Sequence, residues 1–405
     1  MKVIALTPDY YNKFSCIGGA CEDNCCRSRW TIFLDKNTYK KYQKLPPSSM
    51  KVYIDKYIRK NKNAKNDKQY AIIRPDEHGK CALLDEQGLC MIHKNLGEGY
   101  LCETCASYPR HHSIAEGIVI RSLTLSCPEV ARIVLSQEEP IEFELSEVEI
   151  KQNYSTKGEL DIDPNINPLL TSFWDILKAS ITIMQSRNKN IEERLLILGM
   201  LMKNLDEARN EGRASEEEVL LILDKCVSIC GREESLFDTL PEKPEVHISI
   251  LKGILVMRNT FGVVSQAFGS FMENFFRAIS FNRANEAVEA IKKGSKEYFE
   301  PFAKEKGHMF ENYIINCMIS SFYPFGEGKT CLDAFCMLAI RYALIKNILI
   351  GVAIRNKSIN EEIAINLIQS FSKCIDHDPS FIGKLLEELK EQGFNTLAYM
   401  AVLLH

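Results

Sequence analysis

Four things are missing from this 405-residue chain, and each removes a class of function or fold. It has no strong charge of either sign: the formal net charge is −4, which favours neither nucleic acid nor an anionic membrane as its main partner. It has no long uncharged apolar run. The most apolar stretch, "FCMLAIRYALIKNILIGVAI" (335–354), is broken by Arg341 and Lys346, whereas a membrane span needs about 20 nearly uncharged residues; a buried helix is expected there. Its opening, "MKVIALTPDYYNKF", carries four apolar residues before Thr7 and Pro8, too few for a signal-peptide core, so a cytoplasmic protein is expected. No repeat of 20–50 residues stands out either, and nothing argues for a solenoid.

What remains is an ordinary globular balance, 45% hydrophobic and 26% charged, in a chain long enough for two or three domains. The charge is unevenly spread. Residues 1–130 hold 20 Lys and Arg against 14 Asp and Glu, a net of +6, which leaves −10 for the rest. Much of the basic excess lies in "KYIRKNKNAKNDK" (56–68), read as a solvated helix end and loop without nucleic-acid contact.

The cysteines are the informative residues. Nine of the 15 fall in the first 127 positions, mostly in two packets. The first is "CIGGACEDNCC", with Cys16, Cys21, Cys25 and Cys26; the second runs from Cys81 and Cys90, on either side of the turn-like "DEQG", to the C-x-x-C of Cys102 and Cys105. In a cytoplasmic chain thiols stay reduced, so packets far apart in sequence point to a metal centre that organises loops. The spacing leaves the metal open. A zinc ion that staples loops without chemistry and an iron–sulfur cluster both fit. The radical-type C-x-x-x-C-x-x-C is broken because Ser28 stands where its third cysteine belongs, and the ferredoxin C-x-x-C-x-x-C is absent. Adjacent Cys25 and Cys26 are expected to point apart. A thiol nucleophile activated by His93, His111 or His112 fits poorly, because it needs one cysteine and not nine.

The grammar of the chain changes at "DIDPNINP" (161–168). Before it the signals are short: strands in "RWTIFLD" (29–35) and "EGIVIRSLTLSC" (116–127), and an edge strand or connector in "IEFELSEVEI" (141–150). After it, apolar residues recur at helical spacing in 169–186, 191–208, 215–231, 311–322, 332–354, 360–375 and 381–392, with Ser215 and Glu218 read as a capping box. The expected fold is mainly α: a cysteine-rich metal-binding N-terminal region with short strands (1–160), followed by an all-α helical domain (161–405). The six later cysteines, including Cys226 with Cys230 and Cys331 with Cys336, sit among apolar neighbours and are read as core packing.

The pattern Cys16, Cys21, Cys25, Cys26, Cys81, Cys90, Cys102 and Cys105 resembles a zinc- or iron-chelating family with a run ending in paired cysteines. More narrowly, "DNCCRSRWTIFLDKNTYKKY", "LCETCASYPR", "ENYIINCMISSFYPFG" and "IQSFSKCIDHD" together resemble the bacterial flagellin lysine N-methylases, over nearly the whole length. The resemblance implies methyl transfer from S-adenosylmethionine to lysines of flagellin, with an iron–sulfur cluster, 4Fe-4S by preference and zinc as the alternative, held by those eight cysteines. The Gly-rich strand–turn–helix of the usual methyltransferase sheet is absent, and "LGEG" (96–99) and "FGEGK" (325–329) read as turns. Tyr108, His111, His112, Glu311 and Tyr313 are the titratable groups near the shared motifs, and none is assigned a catalytic role. The competing readings are a non-catalytic zinc- or iron-binding interaction module and an electron-transfer protein.

Overall fold

In the computed structural model the described residues are 2–27, 31–77, 79–151, 154, 156–235, 244–260, 265–279 and 283–404. Ser28, Arg29 and Trp30, which carry part of the radical-motif argument and of the first expected strand, lie outside them. The backbone divides into two compact units: Met1–Val130 with Phe143–Glu159, and Ala131–Glu142 with Leu160–His405.

The N-terminal unit contains strands β1 (Lys2–Pro8), β2 (Ile32–Leu34), β3 (Ile58–Lys60), β4 (Ala71–Ile73), β5 (Arg110–Ala115), β6 (Ile118–Leu123), β7 (Phe143–Glu149) and β8 (Thr156–Leu160). Its helices are α1 (Lys36–Gln43), α2 (Ser49–Tyr57), α3 (Met91–Leu96) and α4 (Glu103–Ser107). Five strands form one sheet in the order β7-β1-β6-β5-β8, with β1 parallel to β6 and antiparallel to β7. The other three form an antiparallel sheet in the order β2-β4-β3. The acidic-apolar alternation of 141–150 becomes the edge strand β7, as its half-solvated pattern requires.

Several strands escape the sequence reading. The expected strand over 116–127 is shorter, because Glu116 and Gly117 both take positive φ and close a two-residue hairpin between Ala115 and Ile118. The basic stretch 56–68 is not all helix end and loop: Ile58–Lys60 forms β3, a strand templated by β4. β1, β4, β5 and β8 carry no such acidic-apolar alternation; their form is set by the strands they pair with.

The helical unit follows the periodicity closely. Helix α5 (Pro128–Leu135) leads into it. Then come α6 (Phe173–Met184), α7 (Ile191–Asn210), α8 (Glu216–Ile229), α9 (Pro244–Thr260), α10 (Gln266–Ala278), α11 (Ala284–Gly294), α12 (Glu300–Lys306), α13 (His308–Ser320), α14 (Cys331–Asn356), α15 (Glu361–Phe371), α16 (Pro379–Glu391) and α17 (Leu397–Leu404). Ser215 caps α8 by accepting from the Glu218 amide at 3.3 Å, but the Glu218 carboxylate turns to Arg213 and does not complete the expected box. The apolar stretch 335–354 lies in α14, the axis of the unit, against α7, α10, α11, α15 and α17; its most apolar window is 94% buried. A helix apolar on all sides needs packing all round. The two charges that interrupt it are answered internally. Arg341 forks onto Glu327 at 2.7 and 2.7 Å and reaches Asp376 at 3.1 Å, and Lys346 meets Glu192 at 2.8 Å and the Leu404 carbonyl at 3.0 Å. Thr330 and Asp333 form a complete capping box at the start of α14, and the Asp206 carboxylate accepts from the Cys331 and Leu332 amides at 3.1 and 2.8 Å.

Of the later cysteines, Cys226, Cys230, Cys331, Cys336 and Cys374 are buried and Cys317 is half-buried, in line with core packing.

Candidate metal centre and active site

The second cysteine packet is built around the "DEQG" turn. Asp85 accepts from the Gln87 and Leu89 amides at 3.0 and 2.8 Å, and Gly88 donates to the Asp85 carbonyl at 3.0 Å. That turn folds the chain back so that Cys81 and Cys90 flank it, each forming a β-bridge, to Pro75 and to Leu84. The first packet is stitched to it by Asn24. Its amide donates to the Gly88 carbonyl at 3.1 Å while its oxygen accepts from the Cys26 amide at 2.9 Å. The Cys81 amide then donates to the Cys26 carbonyl at 2.8 Å. Packets more than fifty residues apart are thereby held at backbone contact.

Helix α4 brings the third element. Asp35, which caps α1 through the Thr38 amide at 2.7 Å, also accepts from the Glu103 amide at 3.3 Å and fixes the start of α4 beside β2. Cys102 and Cys105 lie at either side of that first turn and hydrogen-bond each other. The thiols border a small apolar cluster of Ile32, Leu34, Tyr42, Ile54, Leu83 and Ile92.

Six thiols act on one another electrostatically: Cys25, Cys26, Cys81, Cys90, Cys102 and Cys105. Cys25 and Cys26 do not diverge, as adjacency had suggested. A 3₁₀ turn over Cys25–Arg27 puts both into the group, and they hydrogen-bond each other. Hydrogen bonding from Cys105 lowers the Cys102 thiol, making it the first of the pair to ionise. Burial pushes up Cys90 and Cys81, the latter to about 11, while Cys26 and Cys105 are raised chiefly by hydrogen bonding to Cys25 and Cys102. Cys21 is raised chiefly by burial and lies in the field of Cys25 at the edge of the group, while Cys16 is exposed. Among the described residues no three His, Cys, Asp or Glu side chains close on a single ion; the thiols share a neighbourhood and not a point. The structure adds one residue that spacing missed. Buried Cys127 lies in the field of Cys21 and Cys25, its thiol pushed up to about 12 by burial; no motif links it to Cys105, so only folding reveals it.

The titratable groups near the shared motifs fall into distinct settings. Half-buried Tyr108 is bonded to Ser126 at 3.2 Å, and desolvation of its hydroxyl pushes it well up. On β5, His111 and His112 alternate to opposite faces of the sheet. Buried His112 receives or gives a hydrogen bond at 2.8 Å with the Tyr11 hydroxyl. Burial, with the positive charges of Arg121 and Arg110, holds its imidazole down to about 4, so it is neutral at pH 7. The unfolded imidazole takes its proton near 6.5 and the folded one only near 4. Between those values the unfolded chain binds more protons, so stability falls with acid by on the order of 2 kcal/mol. Unfolding at pH 7 and at pH 4.5 should show that extra loss in the wild type and not in His112→Gln; equal losses would refute it.

In the helical unit a cavity of about 710 Å³ is lined by Arg187, Glu192, Arg194, Phe299, His308 and Glu311 among others. Several of its charges are paired within its walls. Fully buried Glu311 accepts from Arg187 at 3.0 and 2.9 Å and from Arg194 at 2.7 Å, so it is not a free base. Burial works against the charge of Glu192, but Lys346 and Tyr342 outweigh it and hold that carboxyl below its ordinary value. Tyr313 is buried 3.4 Å from both oxygens of Asp376, its hydroxyl pushed well up by burial. The glycines of "FGEGK" serve a turn. A Cβ on Gly326 would lie 1.6 Å from the Ser321 carbonyl oxygen, and the Lys329 and Thr330 amides are spent on Asp333 at 2.9 and 3.2 Å, leaving no phosphate cradle.

Comparison with known proteins bears on this arrangement. Residues 178–403 match the family described as the FliB lysine N-methylase C-terminal domain. The chain is 26% identical over 391 residues to a lysine-N-methylase of Salmonella typhimurium, covering 93% of each protein. The figures are the same for the lysine-N-methylase of Salmonella choleraesuis. It is 40% identical over 138 residues to the flagellar biosynthetic protein FliU of Salmonella muenchen, 34% of this chain and 80% of that one. No solved structure matches.

Proposed function

Since this chain belongs to the FliB lysine N-methylase family and is by that membership a lysine N-methyltransferase, we propose that it methylates lysines of flagellin with S-adenosylmethionine as donor. The observation that carries the reading is likeness to a lysine-N-methylase along 93% of both chains, which takes in the cysteine-rich unit as well as the helical one.

Transfer of a methyl group from a sulfonium to an amine is an in-line displacement: the nitrogen lone pair forms the C–N bond as the C–S bond breaks. The lysine must arrive without its proton, against an ordinary pKa of about 10.4, so the site has to strip water from the amine and give its proton an acceptor. His112 is not well suited to accept it, because the burial and the two arginines that keep it neutral also oppose its taking a proton. It is neutral at pH 7, and Tyr11 fixes its orientation through Nε2.

The donor set of the N-terminal unit suits an iron–sulfur cluster. Cys25, Cys26, Cys81, Cys90, Cys102 and Cys105 share one neighbourhood, and the Cys102–Cys105 pair already has one thiol lowered toward the thiolate that a metal takes. When bound, the cluster would tie the loops of both packets together and present an iron to a ligand. The chain's own residues would do the rest: α4 and the "DEQG" turn position the thiols, and Asn24 holds the packets in register.

The test incubates purified, metal-replete protein with flagellin and methyl-labelled S-adenosylmethionine, then maps lysine mass shifts. Label on lysine, lost when the cysteine-rich unit is disrupted, is expected. Full metal loading with no donor binding and no labelled lysine would replace this reading with a metal-binding interaction module.

A further inference from the structure

We propose that Arg121 and Arg110 form a carboxylate-binding site on one face of the five-stranded sheet, and that it takes the amino-acid end of the methyl donor. The proposal rests on the functional reading above and locates part of it.

The register places these residues together. Arg121 pairs with His112 and Arg110 with Leu123 across β5 and β6, so Arg110, His112 and Arg121 share a face. Thr7 of β1 joins them, accepting from Arg121 Nη1 at 3.4 Å. Each guanidinium lies over an aromatic ring, Arg121 over Tyr11 at 3.8 Å and Arg110 over Phe14 at 4.8 Å. Stacking of this kind orients the fork and leaves in-plane N–H groups for another partner.

Among the described residues neither arginine enters an ion pair. The carboxylate that bears on Arg110 is Glu98, and Lys151 already holds it at 2.7 and 2.8 Å. His112 supplies no counter-charge, because it is neutral and engaged with Tyr11. Arg121 Nε is buried and has no hydrogen-bond partner. Buried donors are almost always satisfied, and two half-buried cations side by side favour an anion between them. A planar carboxylate meets both needs at once, since its two oxygens accept a bidentate pair from a guanidinium. In chain terms the residues of the site flank the two cysteine packets: Tyr11 and Phe14 precede Cys16, and Arg110 and His112 follow Cys105. An anchored amino-acid end would lie beside the neutral imidazole.

Calorimetric titration of the full-length, metal-replete protein with S-adenosylhomocysteine and with 5′-methylthioadenosine reads the site apart from turnover. The second ligand keeps the adenosine and thioether but lacks the amino-acid end. Arg121→Gln is expected to weaken S-adenosylhomocysteine about 10- to 100-fold while leaving 5′-methylthioadenosine within about twofold. Arg121→Lys, which keeps the charge without the fork, should fall between. Millimolar inorganic phosphate should compete with S-adenosylhomocysteine in the wild type and not in Arg121→Gln. The assignment is overturned if Arg121→Gln and Arg110→Gln both bind S-adenosylhomocysteine as the wild type does. It is overturned also if both ligands weaken equally, the sign of a structural role, or if phosphate binds without displacing S-adenosylhomocysteine, the sign of a different anion. A wild type that binds neither nucleoside and labels no lysine overturns the functional reading itself. A wild type that labels lysine while Arg121→Gln keeps its affinity overturns only this site.

Discussion

Cys102→Ser and Cys105→Ser are each expected to release most of the bound metal and to lower the stability of the N-terminal unit by about 4–5 kcal/mol, the range in which loss of a metal site stands out from ordinary substitutions. The reason is how little else holds that unit together locally. Its three-stranded sheet has strands of three residues each, and its apolar cluster is bordered by the thiols themselves. A metal centre ligated from both packets would do the work that a larger core does elsewhere. Within the pair Cys102 is the more sensitive, because it is the thiol already lowered by its partner's hydrogen bond. Cys226→Ala is the contrasting case: it removes a buried side chain of the helical unit and leaves the metal in place. Metal-to-protein ratio and the unfolding transition of the N-terminal unit are measured together. Full metal content with unchanged melting in both serine variants would show that the pair does not ligate.

The second large effect belongs to the helical unit. Glu311→Ala is expected to cost about 3–5 kcal/mol, because it leaves Arg194 buried without its counter-charge and frees Arg187 beside it. The side chain of Arg194 is 6% exposed and that of Glu311 is 0% exposed, so water cannot take over. Arg187, at 38%, is partly rescued by solvent. The double variant Glu311→Leu with Arg194→Met removes both buried charges and should recover much of the loss, as apolar replacement of a whole buried pair generally does. Chemical denaturation of the helical unit distinguishes the cases. A loss below about 1 kcal/mol in Glu311→Ala would mean that the pair behaves as a surface ion pair, and the walls of the cavity would have to be redrawn.

The alternation of acid and apolar residues over 141–150 narrowed that stretch to an edge strand or a connector, and helical spacing sufficed for α6, α7, α8, α13, α14, α15 and α16. These signals are local: which side of an element meets water is written within a few turns or a few residue pairs. The same locality explains why 335–354 could be read as a buried helix, although not how its charges would be met. The partners of Arg341 and Lys346 are Glu327, Asp376 and Glu192, the last more than one hundred and fifty residues away. The cysteine packets declared a metal-type donor set by spacing, yet their meeting depends on Asn24 reaching Gly88 and on the Cys26 carbonyl reaching the Cys81 amide. Nothing in either packet alone specifies those bonds. Only the fold recruits Cys127 and sets Arg121 beside His112, because cross-strand register is decided by which faces bury together and one residue of slip would turn Arg121 to the other side. The chain's own order thus determines which residues form helices and which carry thiols. Non-local pairing decides which thiols become neighbours, which carboxylates are neutralised, and where two arginines are set on one face of a sheet.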